Sequence, residues 1–203
     1  WDFAESSLEN VLKYNNWKYT LNEKDGAFYG PKIDIHIKDA LGRSHQCGTI
    51  QLDLHMPEKF DLNYINENNE KERPVVIHRA IYGSIDRFLG ILLEHYSGKL
   101  PLWLSPNQVN IIPVNNKLHL HHASRIKKML KSKGIRVNVD DAEEKMGYKI
   151  RNAQISKIPY TIVIGDDELN NHTLSVRKYN ENKNEIYKID EFIEKIVSEK
   201  VFS

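Results

Sequence analysis

Four places in the chain set chemically capable side chains at spacings that secondary structure can exploit. Arg87 stands in the first turn of a segment, Ser84 to Tyr96, in which Phe88, Leu89, Leu92, Leu93 and Tyr96 recur at helical spacing and are expected to bury much of the helix around it. A planar guanidinium at a helix start, where backbone N–H groups point outward, suits a phosphate or a carboxylate. An arginine paired with a nearby Asp or Glu on a structural helix fits the same pattern. The run Gln46-Cys47-Gly48-Thr49-Ile50-Gln51 is the second place. Strict alternation puts Gln46 and Gly48 on one face and Thr49 and Gln51 on the other. A bulge at Gly48 would re-aim the chain and let Gln46, Thr49 and Gln51 share one cleft, where neutral amides and a hydroxyl can read an adenine edge or a ribose. The third is His78, which closes an apolar strand, and the fourth is Lys32, after Gly30-Pro31, placed to meet a phosphate or a carboxylate. No H-x-x-x-H or C-x-x-C spacing supplies a metal site on one element. His119, His121 and His122 read as the solvated face of a basic helix, and His78 alone reads as a hydrogen-bonded core histidine.

The elements that must hold these groups change character along the chain. Asp2 to Asn15 has helical spacing, and Trp17 to Leu21 alternates as a strand. The spacing predicts a hairpin of Lys32 to Lys38 and Ser44 to Leu54, a polar surface loop over 63–73 and a short buried strand at Val75 to His78. Antiparallel strands with helices on one side mean an α+β unit. Gly98, Pro101 and Pro106 then punctuate the chain, and the spacing puts a domain boundary near Ser105, giving 1–104 and 105–203. Beyond it strands at 109–112, 135–139 and 160–164 alternate with helices at 117–133 and 145–157, the pattern of βαβ crossovers. Edge strands at 174–178 and 185–188 and a last helix from Asp190 complete an α/β unit with a mixed sheet.

Composition bounds the reading. The 203 residues are 40% apolar and 28% charged, enough for packed cores. The longest apolar stretch, Phe88 to Leu93, stops at Glu94 and His95, far short of the roughly 20 residues of a membrane span. A single cysteine, Cys47, excludes an intrachain disulfide and fits a reducing, cytoplasmic setting. The net charge of +1 conceals an acidic first half and a basic second half, the better candidate for a phosphate backbone. The first residue is Trp1 rather than Met, as expected of a piece of a longer protein.

Several runs resemble threonyl-tRNA synthetases, class II aminoacyl-tRNA synthetases. Gly26-Ala27-Phe28-Tyr29-Gly30-Pro31-Lys32-Ile33 and Gln46-Cys47-Gly48-Thr49-Ile50-Gln51-Leu52-Asp53 look like two of their strands, and Pro74 to Phe88 looks like motif 3. In the second half Glu144 to Arg151, Pro159 to Asp166 and Val176-Arg177 are similar to their anticodon-binding domain. The resemblance implies the partial catalytic core of a threonine–tRNA ligase followed by an anticodon-binding domain. It implies ATP contacts by Gln46, Thr49, Gln51 and Arg87, and threonine-side contacts by Tyr29, Lys32 and Gln51. Arg87 and Lys32 are then the catalytic residues, His78 is one of three zinc ligands, and Glu168 and Arg177 read anticodon bases. Mg-ATP, threonine and tRNA(Thr) follow as substrates, and the full enzyme is expected to be a homodimer. Asp86 departs from the usual motif 3 Glu. Motifs 1 and 2 and the other two zinc ligands are not among these residues, so the chain alone is expected to be inactive. A non-catalytic tRNA-binding module is the alternative, and the QCGT strand and His78 argue against a prolyl or histidyl enzyme.

Overall fold

The computed structural model of the chain describes residues 1–200. They divide into two compact units, one from Trp1 to His95 and one beginning at Tyr96. The division falls ahead of the boundary expected from the Gly/Pro punctuation because the intervening segment packs on the second unit. Leu102 lies on that unit's core, and Arg136 donates from Nε to the Ser105 carbonyl at 2.9 Å and from Nη2 to that of Trp103 at 2.7 Å.

The first unit contains α1 (Asp2–Tyr14), β1 (Lys32–Lys38), β2 (Ser44–Asp53), α2 (His55–Lys59), β3 (Tyr64–Ile65), β4 (Lys71–Glu72), β5 (Val76–Ala80) and α3 (Ile85–His95). Its main sheet has the order β1-β2-β5, antiparallel throughout, and β3 and β4 pair separately. The turn between β1 and β2 is built on Asp39. Its Oδ1 accepts the backbone N–H groups of Leu41 and Arg43, and its Oδ2 accepts from Arg43 Nε and bonds His45 Nε2. Four expectations need correcting here. The stretch Trp17–Leu21 forms no strand, and its aromatic side chains are exposed. The polar loop over 63–73 holds the β3–β4 pair, tied by Tyr64 Oη to Glu72. The strand at β5 is largely exposed rather than buried. No residue of α3 is buried, so the apolar side chains around Arg87 do not desolvate it.

The second unit contains β6 (Val109–Pro113), α4 (Asn116–Ser132), β7 (Val137–Val139), α5 (Met146–Ile155), β8 (Tyr160–Ile164), α6 (Asp166–Asn171), β9 (Thr173–Lys178), β10 (Glu185–Lys188) and α7 (Ile189–Lys200). The sheet order is β10-β9-β8-β6-β7; β6 runs parallel to β7 and β8, while β9 and β10 are antiparallel. Strand alternation gives the sheet two unlike faces. Val109, Ile111, Val137, Ile162, Ile164, Leu174 and Val176 meet Ala123, Ile126 and Leu130 of α4 and Phe192, Ile193 and Ile196 of α7 in one core. The opposite face carries a polar row, Asn138–Asn110–Thr161–Arg177, in register across four strands. Among the described residues no helix is long and apolar enough to cross a membrane.

Candidate functional site

Register concentrates the polar groups of the first unit on one face. Lys32 pairs with Gln51, and Gln51 with His78, so these three stand in a line across β1, β2 and β5. Asp34 and Thr49 pair in the next line. Directly opposed residues of antiparallel strands project to the same side, so all five share a face.

Gln46 joins them through a bulge. Asp34 pairs with Thr49 and Ile35 with Gly48, but His36 pairs with Gln46, leaving Cys47 as the extra residue of β2. Gln46 Nε2 therefore reaches Asp34 Oδ1 at 2.6 Å, the atom that also accepts from Thr49 Oγ1 at 2.8 Å. Lys32 Nζ lies 2.7 Å from the other oxygen of Asp34. Burial opposes ionisation of Asp34, but the bonds from Lys32 and Thr49 outweigh it and hold the carboxyl below its usual range. The same pair, led by the hydrogen bond, raises the Lys32 ammonium.

At the other end of the face Tyr29 donates its hydroxyl to Gln51 Oε1 at 2.6 Å, and its ring lies 5.5 Å from that of His78. Tyr29 is brought in by a very tight backbone approach. A Cβ on Gly30 would stand 1.9 Å from the Leu52 carbonyl oxygen, so only glycine allows the segment before β1 to lie along β2. His78 Nε2 is 2.7 Å from Asp53 Oδ2, while Asp53 Oδ1 accepts the backbone N–H groups of His55 and Met56. Burial opposes the charge on Asp53, yet the bonds from His78 and those two N–H groups lower its pKa. With Nε2 as the donor, His78 keeps a lone pair on Nδ1, the carboxylate–histidine arrangement that orients a metal-binding imidazole. Among the described residues no three His, Cys, Asp or Glu side chains converge on a metal position. The fit is that of one oriented ligand.

Arg87 is exposed near the start of α3, and no hydrogen bond or ion pair to it is found among the described residues. Gly83, at φ +65°, lies with its Cβ position 3.0 Å from the Cys47 carbonyl and 3.4 Å from that of Gln46. The chain thus enters α3 beside the bulge that carries Gln46. Sequence reasoning passed over Asp34 and Asp53, although each stands two residues from a singled-out residue on an alternating strand, and that spacing was the available signal.

In the second unit Glu168 lies in the first turn of α6, and its Oε2 accepts the N–H of Gly165 at 2.8 Å. The Asp166 carboxylate before it lies 3.0 Å from Nε2 of the buried His119, whose Nδ1 accepts the Asn115 N–H. His119 and His122 are thus buried, not solvated as the sequence suggested; only His121 of the three is exposed. Arg177 pairs with Thr161 near the start of β8, whereas Glu168 follows the end of that strand.

Comparison with known proteins matches each unit to a domain family. Residues 4–96 match the tRNA synthetase class II core domain (G, H, P, S and T), and residues 108–199 match an anticodon binding domain. Over 199 residues, 98% of its length, the chain is 55% identical to threonine–tRNA ligase 2 of Bacillus subtilis and 52% identical to threonine–tRNA ligase of Clostridioides difficile. It spans 31% of each of those relatives. The crystal structure of the RNA binding domain of threonyl-tRNA synthetase from Cryptosporidium parvum superposes with a TM-score of 0.87 at 39% identity, covering 100% of this chain and 51% of that one.

Proposed function

Because the chain belongs to the threonyl-tRNA synthetase family of class II synthetases, we propose that it supplies part of the active site and the anticodon-reading domain of a threonine–tRNA ligase. The observation that carries this reading is the line Lys32–Gln51–His78 with Tyr29 bonded to Gln51. It gathers a cation, an amide, a phenol and an oriented imidazole on one sheet face, suited to an amino acid with its carboxylate and side-chain hydroxyl.

In this reading Lys32 meets the carboxylate side of threonine, and Tyr29 and Gln51 shape its pocket. Gln46, Thr49 and Gln51 meet ATP, and Arg87 offers its unpaired guanidinium to the nucleotide. Threonine's carboxylate attacks the α-phosphate of Mg-ATP and displaces pyrophosphate to give threonyl-adenylate; a ribose hydroxyl at the 3′ end of tRNA(Thr), losing its proton, then takes the threonyl group and AMP leaves. The protein's part is positioning and charge stabilisation. A zinc ion held in part by His78 would supply a Lewis-acid contact to the amino and hydroxyl groups of threonine. A site that binds the hydroxyl leaves a polar partner unsatisfied when valine enters, which is the basis of rejection. Glu168 and Arg177 read anticodon bases in the basic second half. A homodimeric full enzyme and a cytoplasmic location belong to the same reading, the latter supported by the single buried thiol of Cys47.

A second reading, a tRNA-binding module without catalysis, is favoured by the concentration of the apolar core in the second unit. Threonine-dependent ATP–pyrophosphate exchange by the full-length ligase carrying these residues decides between them. The wild type is expected to exchange, and Arg87→Ala to lose roughly 100-fold or more without a change in melting. Unaltered exchange in Arg87→Ala removes the role assigned to Arg87, and no threonine-dependent exchange in the wild type removes the ligase reading. The 203 residues alone are expected not to turn over.

A further inference from the structure

We propose that Asn184 is a positioning residue for Arg177, holding its guanidinium ready for RNA and thereby sharpening which bases the second unit accepts; this rests on the reading of Arg177 as an RNA contact. Ser175 and Arg177 stand two residues apart on β9, on the same face. Glu185 pairs with Val176, so Asn184, one residue before β10, lies opposite Arg177 as the register continues. Its side chain bridges the two. Asn184 Oδ1 accepts Arg177 Nε–H at 2.8 Å, and Asn184 Nδ2 donates to Ser175 Oγ at 2.9 Å.

Both ends of the amide are thereby used, which fixes its plane. The bond occupies Nε and leaves both terminal nitrogens of the guanidinium, the pair that makes bidentate contacts to a phosphate or to a base edge with two acceptors. The partner is neutral. No carboxylate pairs with Arg177 among the described residues, so the arginine keeps its full charge while losing freedom. A carboxylate at position 184 would hold the same nitrogen and cancel the charge; an amide holds it and does not. Ordering a long side chain before the ligand arrives lowers the cost of binding. It also narrows the geometries accepted, which appears as selectivity.

The test uses the 203-residue chain and a labelled RNA stem-loop bearing the threonine anticodon, with fluorescence anisotropy as the readout. Arg177→Met is expected to weaken binding by roughly 10-fold or more and to lower the salt dependence. Asn184→Ala is expected to weaken it by roughly 3- to 10-fold, with the salt slope unchanged and poorer discrimination against loops with single-base replacements. Ser175→Ala, which frees one end of the amide, is expected to give a smaller loss in the same direction. In the Arg177→Met background, Asn184→Ala is expected to cost nothing further. A purely structural role for Asn184 predicts that the two losses multiply, and that outcome overturns the proposal, as does wild-type affinity and selectivity in Asn184→Ala beside a weakened Arg177→Met. Undiminished binding by Arg177→Met, or no binding by the parent chain, overturns the reading of Arg177 and the inference with it.

Discussion

The imidazole of His78 is tied through Nε2 to the buried carboxylate of Asp53 at 2.7 Å, across two paired strands. The bond makes Nε2 the protonated nitrogen of the neutral ring and leaves the lone pair on Nδ1. Asp53→Asn keeps an acceptor for the backbone N–H groups of His55 and Met56 but turns an amide N–H toward His78. The ring is expected to switch tautomer, protonated on Nδ1, with melting of the first unit little changed. Imidazole ¹⁵N shifts in mildly alkaline buffer report this directly. A ring still protonated on Nε2 in the variant refutes the assignment. In the full-length ligase the same change is expected to weaken zinc binding by roughly 10- to 100-fold.

Gly30 and Gly90 give opposite expectations for the same substitution. At Gly30 the added Cβ meets the Leu52 carbonyl oxygen at 1.9 Å; at Gly90, inside α3, it meets nothing within 4 Å. Gly30→Ala is expected to cost about 3 kcal/mol or more and to separate the Tyr29 segment from β2. Gly90→Ala is expected to be neutral or to stabilise by up to about 1 kcal/mol through helix propensity. Urea unfolding of the two variants checks both signs.

Acid is expected to reach the two units in different windows. The bond from His45, with those from Arg43, depresses the Asp39 carboxyl well below its normal value despite burial. Its contribution is complete above the unfolded carboxylate value of about 4 and is lost as pH falls below that. In the second unit burial, followed by the charge of Arg125, lowers the pKa of His122. The unfolded chain therefore takes up this proton first, and stability falls as pH drops from about 6.5. Urea midpoints against pH should show the second unit softening first and the first unit failing below about pH 4. Asp39→Asn should flatten only the lower limb; a lower limb unchanged in that variant excludes Asp39 as its source.

What was legible in the sequence depended on how local its cause was. The alternation of Lys32 to Lys38 and the apolar run Tyr160 to Ile164 mark strands with those same bounds. The shared cleft of Gln46, Thr49 and Gln51 was expected from a bulge at Gly48, and the displaced residue is its neighbour Cys47. Trp17 to Leu21 alternates as well, but it pairs with no strand among the described residues, and alternation without a partner makes no sheet. The short helix Asp166–Asn171 escaped because five polar residues around the single Leu169 carry no apolar period; its start is held by Glu168 and His119. The apolar spacing of α3 marked the helix correctly but not its burial, which depends on what packs against it.

The uneven placing of buried apolar side chains gives the two units different lifetimes. Among the described residues of the first unit the buried apolar side chains are the scattered Ala4, Leu12, Pro31, Cys47 and Pro57, while the second has a continuous cluster from Val109 to Ile196. Local opening costs least where few apolar contacts must part. Amide hydrogens of β1, β2 and β5 therefore exchange with solvent sooner than those of β6 and β8, and a protease meets unfolded chain in the first unit long before the second. Limited digestion leaves behind the unit matched to anticodon binding, stripped of the polar face beside it in sequence.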